Sequence, residues 1–507
     1  MLGMPHPKPP IWQRLWFIIA VVVVMLVGIV VIIWAPWRSP CGAGLTDVES
    51  PYYCVGLDLN STALQEPDPL ADLESKIARD NAKITGDFGA IVLLDNFTAN
   101  PNTDSVSVPE LRHRIEGANT AVWRANNQAV AGGTTPKIKL LLASFGGGAK
   151  YESQAVQSII QARKSQHIVA VTGFGQSLDQ TRQAAKDLSD ANIVSVGSVV
   201  TSDDMNRDLT GKRIPNFFRV AATNTGTAIA SVSYIASHKY QKVLLVKDTN
   251  QEDSYAQTLA SAFGTAFASQ YRFAVPYTEP YQSPDTSVTG ATRDTYMTNQ
   301  FAHMHGDICA DRPDLVYFAG RGVDLGSFLK ALSQGGACGL GPIDVMTGDD
   351  AASIVGRSLP PFPDLHVRVL FTALATAGQW GNFPPDAEMV QNYDQFAQAF
   401  SNRDNGFDPG DLVEEDAIMS YDAVLAATTA ARIDPLATTD PSTVTAYFLR
   451  LRCTQFVPGA SGDIAFDSSG NSVDKAVPLL QLHPNGSAVQ QDLTWPTGKQ
   501  FNPSTTC

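Results

Sequence analysis

Residues 15 to 34, LWFIIAVVVVMLVGIVVIIW, are twenty consecutive apolar positions without a charge. A helix rises about 1.5 Å per residue, so this run matches the roughly 30 Å hydrocarbon layer of a bilayer and predicts one membrane-spanning anchor. Lys8 and Arg14 precede it, whereas Arg38 is soon followed by Asp47 and Glu49. The positive-inside rule then makes residues 1–14 a cytoplasmic tail and puts everything after the anchor outside the cell membrane. Trp12, Trp16, Trp34 and Trp37 stand where interfacial anchors belong. A cleaved signal peptide would have an apolar core of at most about 15 residues and small residues at the cut. Trp34-Ala35-Pro36-Trp37 offers no such site, and Arg38-Ser39-Pro40 lacks the pattern that precedes a lipid-modified cysteine.

After the anchor the pattern changes. Residues 35–85 are turn-rich and predict a stalk ending in a short amphipathic helix, LESKIARDNAKI. Short β-branched runs then alternate with amphipathic segments. Ala90–Leu94, Ile138–Ala143, Ile168–Gly173 and Ile193–Val196 read as strands, separated by helices at Leu111–Asn127, Tyr151–Ser165 and Leu178–Asp190. The alternation restarts with helices at Thr225–His238 and Tyr255–Ala268 and continues with Leu325–Ser333. Its strands are Val243–Lys247, Phe273–Tyr277, Leu315–Ala319 and Ile343–Met346. Continuously apolar strands between helices predict an α/β class with parallel sheets covered on both faces. The length exceeds one ordinary core, so two lobes are expected, with Asn216–Asn224 as a crossing between them. Ligands of open α/β sheets bind beyond the carboxyl ends of strands, which would put a cleft between facing lobes.

Charge and cysteines narrow the setting. Without Lys8, Arg14 and Arg38 the exported region holds 33 Lys and Arg against 50 Asp and Glu, a net −17. Such a surface disfavours nucleic acid and anionic lipid as partners. The cysteines Cys41, Cys54, Cys309, Cys338, Cys453 and Cys507 all follow the anchor. An even number in an exported chain reads as disulfides. Cys41 and Cys54 bracket a short loop, and Cys309 and Cys338 flank the edge where neighbouring strands begin. Cys453 and Cys507 are left to fasten the C-terminal tail.

Seven blocks, in order, resemble the type I periplasmic binding proteins, especially the leucine/isoleucine/valine-binding branch that serves ABC transporters. LRHRIEGANTAVWRANN is similar to the family's first helix, and HIVAVTGFGQSLDQTRQAAKDLSDANIVSVGSVVTSDDM to its Gly-Ser loop, helix, strand and hydroxyl-bearing turn. IPNFFRVAATNTGTAIASVSYIASH resembles the lobe crossing. KVLLVKDTNQEDSYAQTLA resembles a strand and Tyr-Gly turn, with Ala256 in place of the glycine. DLVYFAGRGVDLGSFLKAL, SYDAVLAATTAA and GDIAFDSSGNSVDKAVPLLQLHPNGS are similar to the later blocks. The resemblance implies a two-lobed domain over residues 86–490. Lobe 1 would span about 86–222 and 342–455, lobe 2 about 223–341 and 456–490, with a tail at 491–507.

The resemblance also implies a small ligand between the lobes, its carboxylate held by Ser177 and Thr201 and its body against Tyr255. Each has a structural alternative. Ser177 could cap the helix starting at Leu178, Thr201 could belong to an N-cap cluster with Ser202-Asp203-Asp204, and Tyr255 could pack a helix terminus. The family's ammonium-binding Glu aligns with Thr292, which cannot form a charge-assisted bond, so branched-chain amino-acid specificity is in doubt. Arg321, in the GRGVD turn, could face the cleft and pair with an anion, or lie on the surface.

Other signals are weak. Gly146–Lys150 lacks the spacing of a phosphate loop. His303, His305 and Cys309 do not share one helix face, so no metal is expected. Glu414-Glu415-Asp416 and Asp349-Asp350 suit the positive ends of following helices, although the Asp349-Asp350 turn sits where a cleft residue could be. No hydrolase or nucleotide motif stands at usable spacing, so neither catalysis nor a cofactor is expected. The expected function is capture of a small polar, amino-acid-like ligand by a membrane-anchored extracytoplasmic binding protein that delivers it to an ABC permease. The alternative is a ligand-sensing or scaffold ectodomain that signals to a membrane partner without transport.

Overall fold

The computed structural model describes residues 41–501 apart from 49–52, 61–62, 66, 99–105, 272–276, 285–287, 289, 336–337, 363–364, 382–386, 434–441 and 453–454, together with residues 12, 16, 19–23 and 25. Most of the apolar run at 15–34 lies outside these residues. Its described members, Trp16, residues 19–23 and Met25, are helical with exposed side chains. Among the described residues no helix is long and apolar enough to cross a membrane.

Two seven-stranded sheets form two lobes. The first contains β1 (Leu45–Asp47), β2 (Cys54–Asp58), β3 (Phe88–Asp95), β4 (Lys137–Ser144), β5 (Ile168–Gly173), β6 (Val194–Gly197) and β7 (Phe217–Arg219) in the order β1-β2-β4-β3-β5-β6-β7. From β4 to β7 all pairs are parallel, while β2 joins β4 antiparallel. Helices α1 (Ala71–Ala82), α2 (Val108–Asn127), α3 (Glu152–Ala162) and α4 (Asp179–Asp190) accompany them. The central strands are buried along nearly their whole length, which is why IVAVTG and FGAIVLLD are apolar without alternation.

The second lobe holds β8 (Val243–Asp248), β9 (Tyr277–Tyr281), β10 (Leu315–Ala319), β11 (Ile343–Thr347) and β12 (Val367–Thr372). Its helices are α5 (Asn224–Ser237), α6 (Ser254–Gln270), α7 (Gly290–Asp311) and α8 (Gly322–Gly335). The chain then returns to the first lobe as α9 (Ala387–Phe400), α10 (Asp416–Ile433), α11 (Ser442–Phe448) and the hairpin β13 (Val457–Gly459)–β14 (Gly462–Ile464). It ends in β15 (Val477–Leu482) and β16 (Ala488–Thr494), which complete the order β16-β15-β12-β11-β10-β8-β9.

The expected boundaries need four corrections, one being that the β13–β14 hairpin, within the 456–490 expected for lobe 2, packs against α9 and α10 of the first lobe. Ile343–Thr347 and Val367–Thr372, assigned to lobe 1, form two parallel strands of the second sheet. Part of the expected stalk, residues 45–47 and 54–58, joins the first sheet, because CVGLD is entirely buried and must pair its backbone, which it does with β4. The expected tail begins inside β16, whose pairing with β15 reaches Thr494. The strand expected at Phe273–Tyr277 is observed at Tyr277–Tyr281, residues 273–276 lying outside the described residues.

The chain therefore crosses between lobes between β7 and α5, between β12 and α9, and between β14 and β15. Arg219, with no solvent exposure, pins the first crossing. Its Nε and Nη2 donate to Asn471 Oδ1 at 2.9 and 2.8 Å, and its Nη1 donates to the carbonyls of Val200 and Ser202. Disulfides Cys41–Cys54 and Cys309–Cys338 are present as expected, while Cys453 and Cys507 lie outside the described residues.

Candidate functional site

Loops at the carboxyl ends of the strands face each other across the lobes and enclose a cavity of about 30 Å³, room for a single water molecule. Strand β5 delivers one wall. After it, Phe174 and Gly175 adopt φ of 75° and 56°, turning Gln176 and Ser177 into the cleft. Gly175 has a second constraint, because a Cβ there would lie 2.7 Å from Asp95 Oδ1. Ser177 is buried, and its hydroxyl accepts the Ser202 main-chain N–H at 3.2 Å. It does not cap α4; Thr181 Oγ1 instead accepts the Leu178 N–H at 2.9 Å.

Thr201 is fully buried and links the lobes, its hydroxyl donating to Asp349 Oδ2 at 3.2 Å. Tyr255, near the start of α6, is equally buried, and its hydroxyl accepts the Asp350 N–H at 3.2 Å. Burial and the charges of Asp349 and Asp350 hold its phenol well above the usual range. The Arg321 guanidinium lies 4.6 Å from the Tyr255 ring centroid, a cation–π arrangement.

Arg321 is thus a cleft residue rather than a surface one. Its Nε and Nη2 donate to Asp253 at 2.7 and 2.8 Å and its Nη1 to Asp350 Oδ1 at 3.0 Å. Nη2 also reaches the Ser177 carbonyl in the other lobe at 2.9 Å. Asp350 is used twice, since its Oδ2 accepts the Gly322 N–H that opens α8.

Thr292 does not belong to the site. It is exposed in α7 and absent from the cleft lining. Its neighbour Arg293 turns instead to the buried carboxylate of Asp324.

The opposite wall was missed from sequence. Glu110, Arg114, Glu415 and Asp416 line it. Arg114 Nε donates to Asp416 Oδ1 at 2.5 Å, and its Nη1 donates to both Asp95 oxygens at 3.1 Å. Glu110 forms a capping box with Ser107, a signal that S-V-P-E at 107–110 already carried. Glu415 Oε2 accepts the Leu374 N–H at 2.6 Å, tying this wall to the second crossing. Burial, with the charge of Asp416, raises Glu110 to about 7; burial, with the charge of Asp350, raises Asp349 to about 7; and burial, with Asp349, holds Glu415 well above the usual range.

Two further signals stay outside the cleft. The Gly147–Ala149 turn follows β4 as a single short helical turn. His305 lies near Cys309 and Cys338, but those sulfurs are joined and offer no thiolate to a metal.

No family model matches the chain, and no curated protein matches it by sequence. Solved structures match it by shape. An ABC transporter substrate-binding protein from Desulfitobacterium hafniense in complex with Leu superposes with a TM-score of 0.58 at 18% identity, covering 80% of this chain and 100% of that one. A leucine binding protein from Thermotoga maritima gives 0.55 at 16%, covering 80% and 98%. A solute binding protein of an ABC transporter from Rhodopseudomonas palustris in complex with p-hydroxybenzoic acid gives 0.58 at 12%, covering 81% and 98%. The chain has the two-lobed fold of the type I periplasmic binding proteins.

Proposed function

We propose that this chain is an extracytoplasmic solute-binding protein that captures a small polar molecule by closing its two lobes, for delivery to an ABC-type transporter. The observation that carries the reading is the cleft itself: buried polar side chains from both lobes converge on one cavity at the carboxyl ends of the strands. No bond is made or broken. Closure follows from the tighter contact a ligand makes with the closed state than with the open one. The shape-matched proteins bound to leucine and p-hydroxybenzoic acid support ligand capture by this fold. A membrane anchor at 15–34 is proposed on its uncharged apolar length, and fractionation of membranes after alkaline washing tests it separately.

Thermal unfolding of the full-length chain in detergent, screened against amino acids, amides, carboxylates, amines, sugars and nucleosides, tests the function. A ligand at about 100 times its dissociation constant adds roughly 2.7 kcal/mol, a readily measured shift. The reading predicts at least one hit whose effect disappears in a cleft variant such as Asp349→Asn. A well-folded protein with no hit across the panel contradicts it.

A further inference from the structure

Building on ligand capture in the cleft, we infer that the ligand is a small organic cation, an amine or guanidinium compound, and not an anion or a branched-chain amino acid.

Among the described residues, five carboxylates, Glu110, Asp349, Asp350, Glu415 and Asp416, line the cavity beside two cationic side chains, Arg114 and Arg321. Both cations are already engaged. Arg114 is shared by Asp95 and Asp416, and Arg321 by Asp253 and Asp350. Among the described residues Glu110, Asp349 and Glu415 have no ion-pair partner within 4.0 Å. Asp349 makes the point most sharply: it is 4% exposed, and its Oδ1 has no hydrogen-bond partner among the described residues. A buried carboxylate oxygen without a donor is destabilising, and an incoming N–H donor removes that penalty.

An anion would find the reverse. Of the two hydroxyls that the family resemblance assigns to a carboxylate, Thr201 already spends its proton on Asp349, while Ser177 accepts from Ser202. The group that Ser177 presents across the cleft is its carbonyl oxygen, an acceptor. That acceptor already receives a guanidinium, supplied by Arg321, so the closed cleft holds an organic cation of the protein's own. A metal ion fits less well. Among the described residues the only Asp, Glu, His or Cys group spaced to hold one is His305 with the two joined cysteines. Because the cavity admits only a water, an external cation enters when the lobes part, and Asp349 and Glu415 meet it on closure.

The test is thermal unfolding of the full-length chain in detergent at physiological salt with agmatine, putrescine, L-leucine or benzoate. Agmatine or putrescine is expected to raise the midpoint in a saturable manner, with leucine and benzoate without effect. Asp349→Asn and Glu415→Gln, which keep volume and fold, are expected to weaken the amine response at least tenfold. An equal amine response in both variants means surface screening and overturns the inference. A shift by benzoate or leucine and none by the amines overturns it while ligand capture stands. No shift by any of the four overturns the inference too, and a hit from the wider screen then decides ligand capture separately.

Discussion

Arg321 Nη2 donates to the main-chain carbonyl of Ser177 at 2.9 Å, joining a turn after β10 in one lobe to a turn after β5 in the other. The bond sits at the centre of the closed cleft, and the guanidinium making it also neutralises Asp253 and Asp350.

Removing that guanidinium is therefore expected to be severe. Arg321→Ala leaves buried Asp253 and half-buried Asp350 without a counter-charge, and breaking a buried pair costs about 3–5 kcal/mol. Arg321→Lys recovers only part, because an ammonium cannot reproduce the two-pronged contact with Asp253. Urea unfolding of the three proteins measures this. A loss below about 1 kcal/mol for Arg321→Ala contradicts the placement.

Glu74 supplies a pH signature away from the cleft. It is 2% exposed, its Oε1 has no hydrogen-bond partner among the described residues, and burial together with Asp68 and Asp58 pushes it up to about 9 from an ordinary 4.5. Between those values the folded chain keeps a proton that the unfolded chain releases. Stability contributed by this group is intact below about pH 4.5 and falls as pH rises toward 9, by at most about 1.4 kcal/mol per unit. Glu74→Gln lacks this dependence, so its melting temperature relative to the wild type is expected to climb steadily from pH 5 to pH 9. A difference that stays flat over that range refutes the assignment.

The Cys309–Cys338 bridge closes a segment with a sequence separation of 29. Chain entropy alone assigns such a loop roughly 3–4 kcal/mol of stabilisation. The double variant Cys309→Ser/Cys338→Ser is expected to lose stability of that order by chemical unfolding while keeping its far-ultraviolet circular dichroism. Unchanged stability would mean that the bridge adds no constraint to the second lobe.

Gly117 marks where α2 and α10 touch. A Cβ at this position would sit 2.0 Å from the Ala417 carbonyl oxygen, so Gly117→Ala must push the helices apart. Overpacking of this kind costs about 1–3 kcal/mol, against the few tenths to 1 kcal/mol that alanine would gain in an open helix. A stabilised variant would show that the close approach is absent in solution.

Much of this arrangement was legible in the sequence, for identifiable reasons. Buried parallel strands such as Ile168–Gly173 leave unbroken apolar runs. The Cys54–Asp58 strand was not legible, because five residues flanked by turns carry no period. Strand β12 hid behind Arg368, which pairs with Asp344 on the neighbouring strand, and β15 behind Pro478. In the site, Ser177, Thr201 and Tyr255 were reached through family resemblance and Arg321 through its turn after strand 315–319, and all four meet at the lobe interface. Thr292 was reached the same way and lies outside. The acids failed for another reason: Glu415 and Asp416 read as a helix-dipole pattern, and sequence cannot tell a solvated dipole partner from a carboxylate buried by a second lobe. Asp349 and Asp350 raised the same ambiguity.

The measurement that tests ligand capture most directly is the distance between spin labels on exposed Asp190 in α4 and exposed Lys330 in α8, one in each lobe. In Arg321→Ala, which lacks the bridge to Ser177, the distribution is expected to be broad and long, and a saturating hit from the unfolding screen is expected to narrow it and draw it to a single shorter distance. A distribution that does not change when that compound binds contradicts capture by lobe closure.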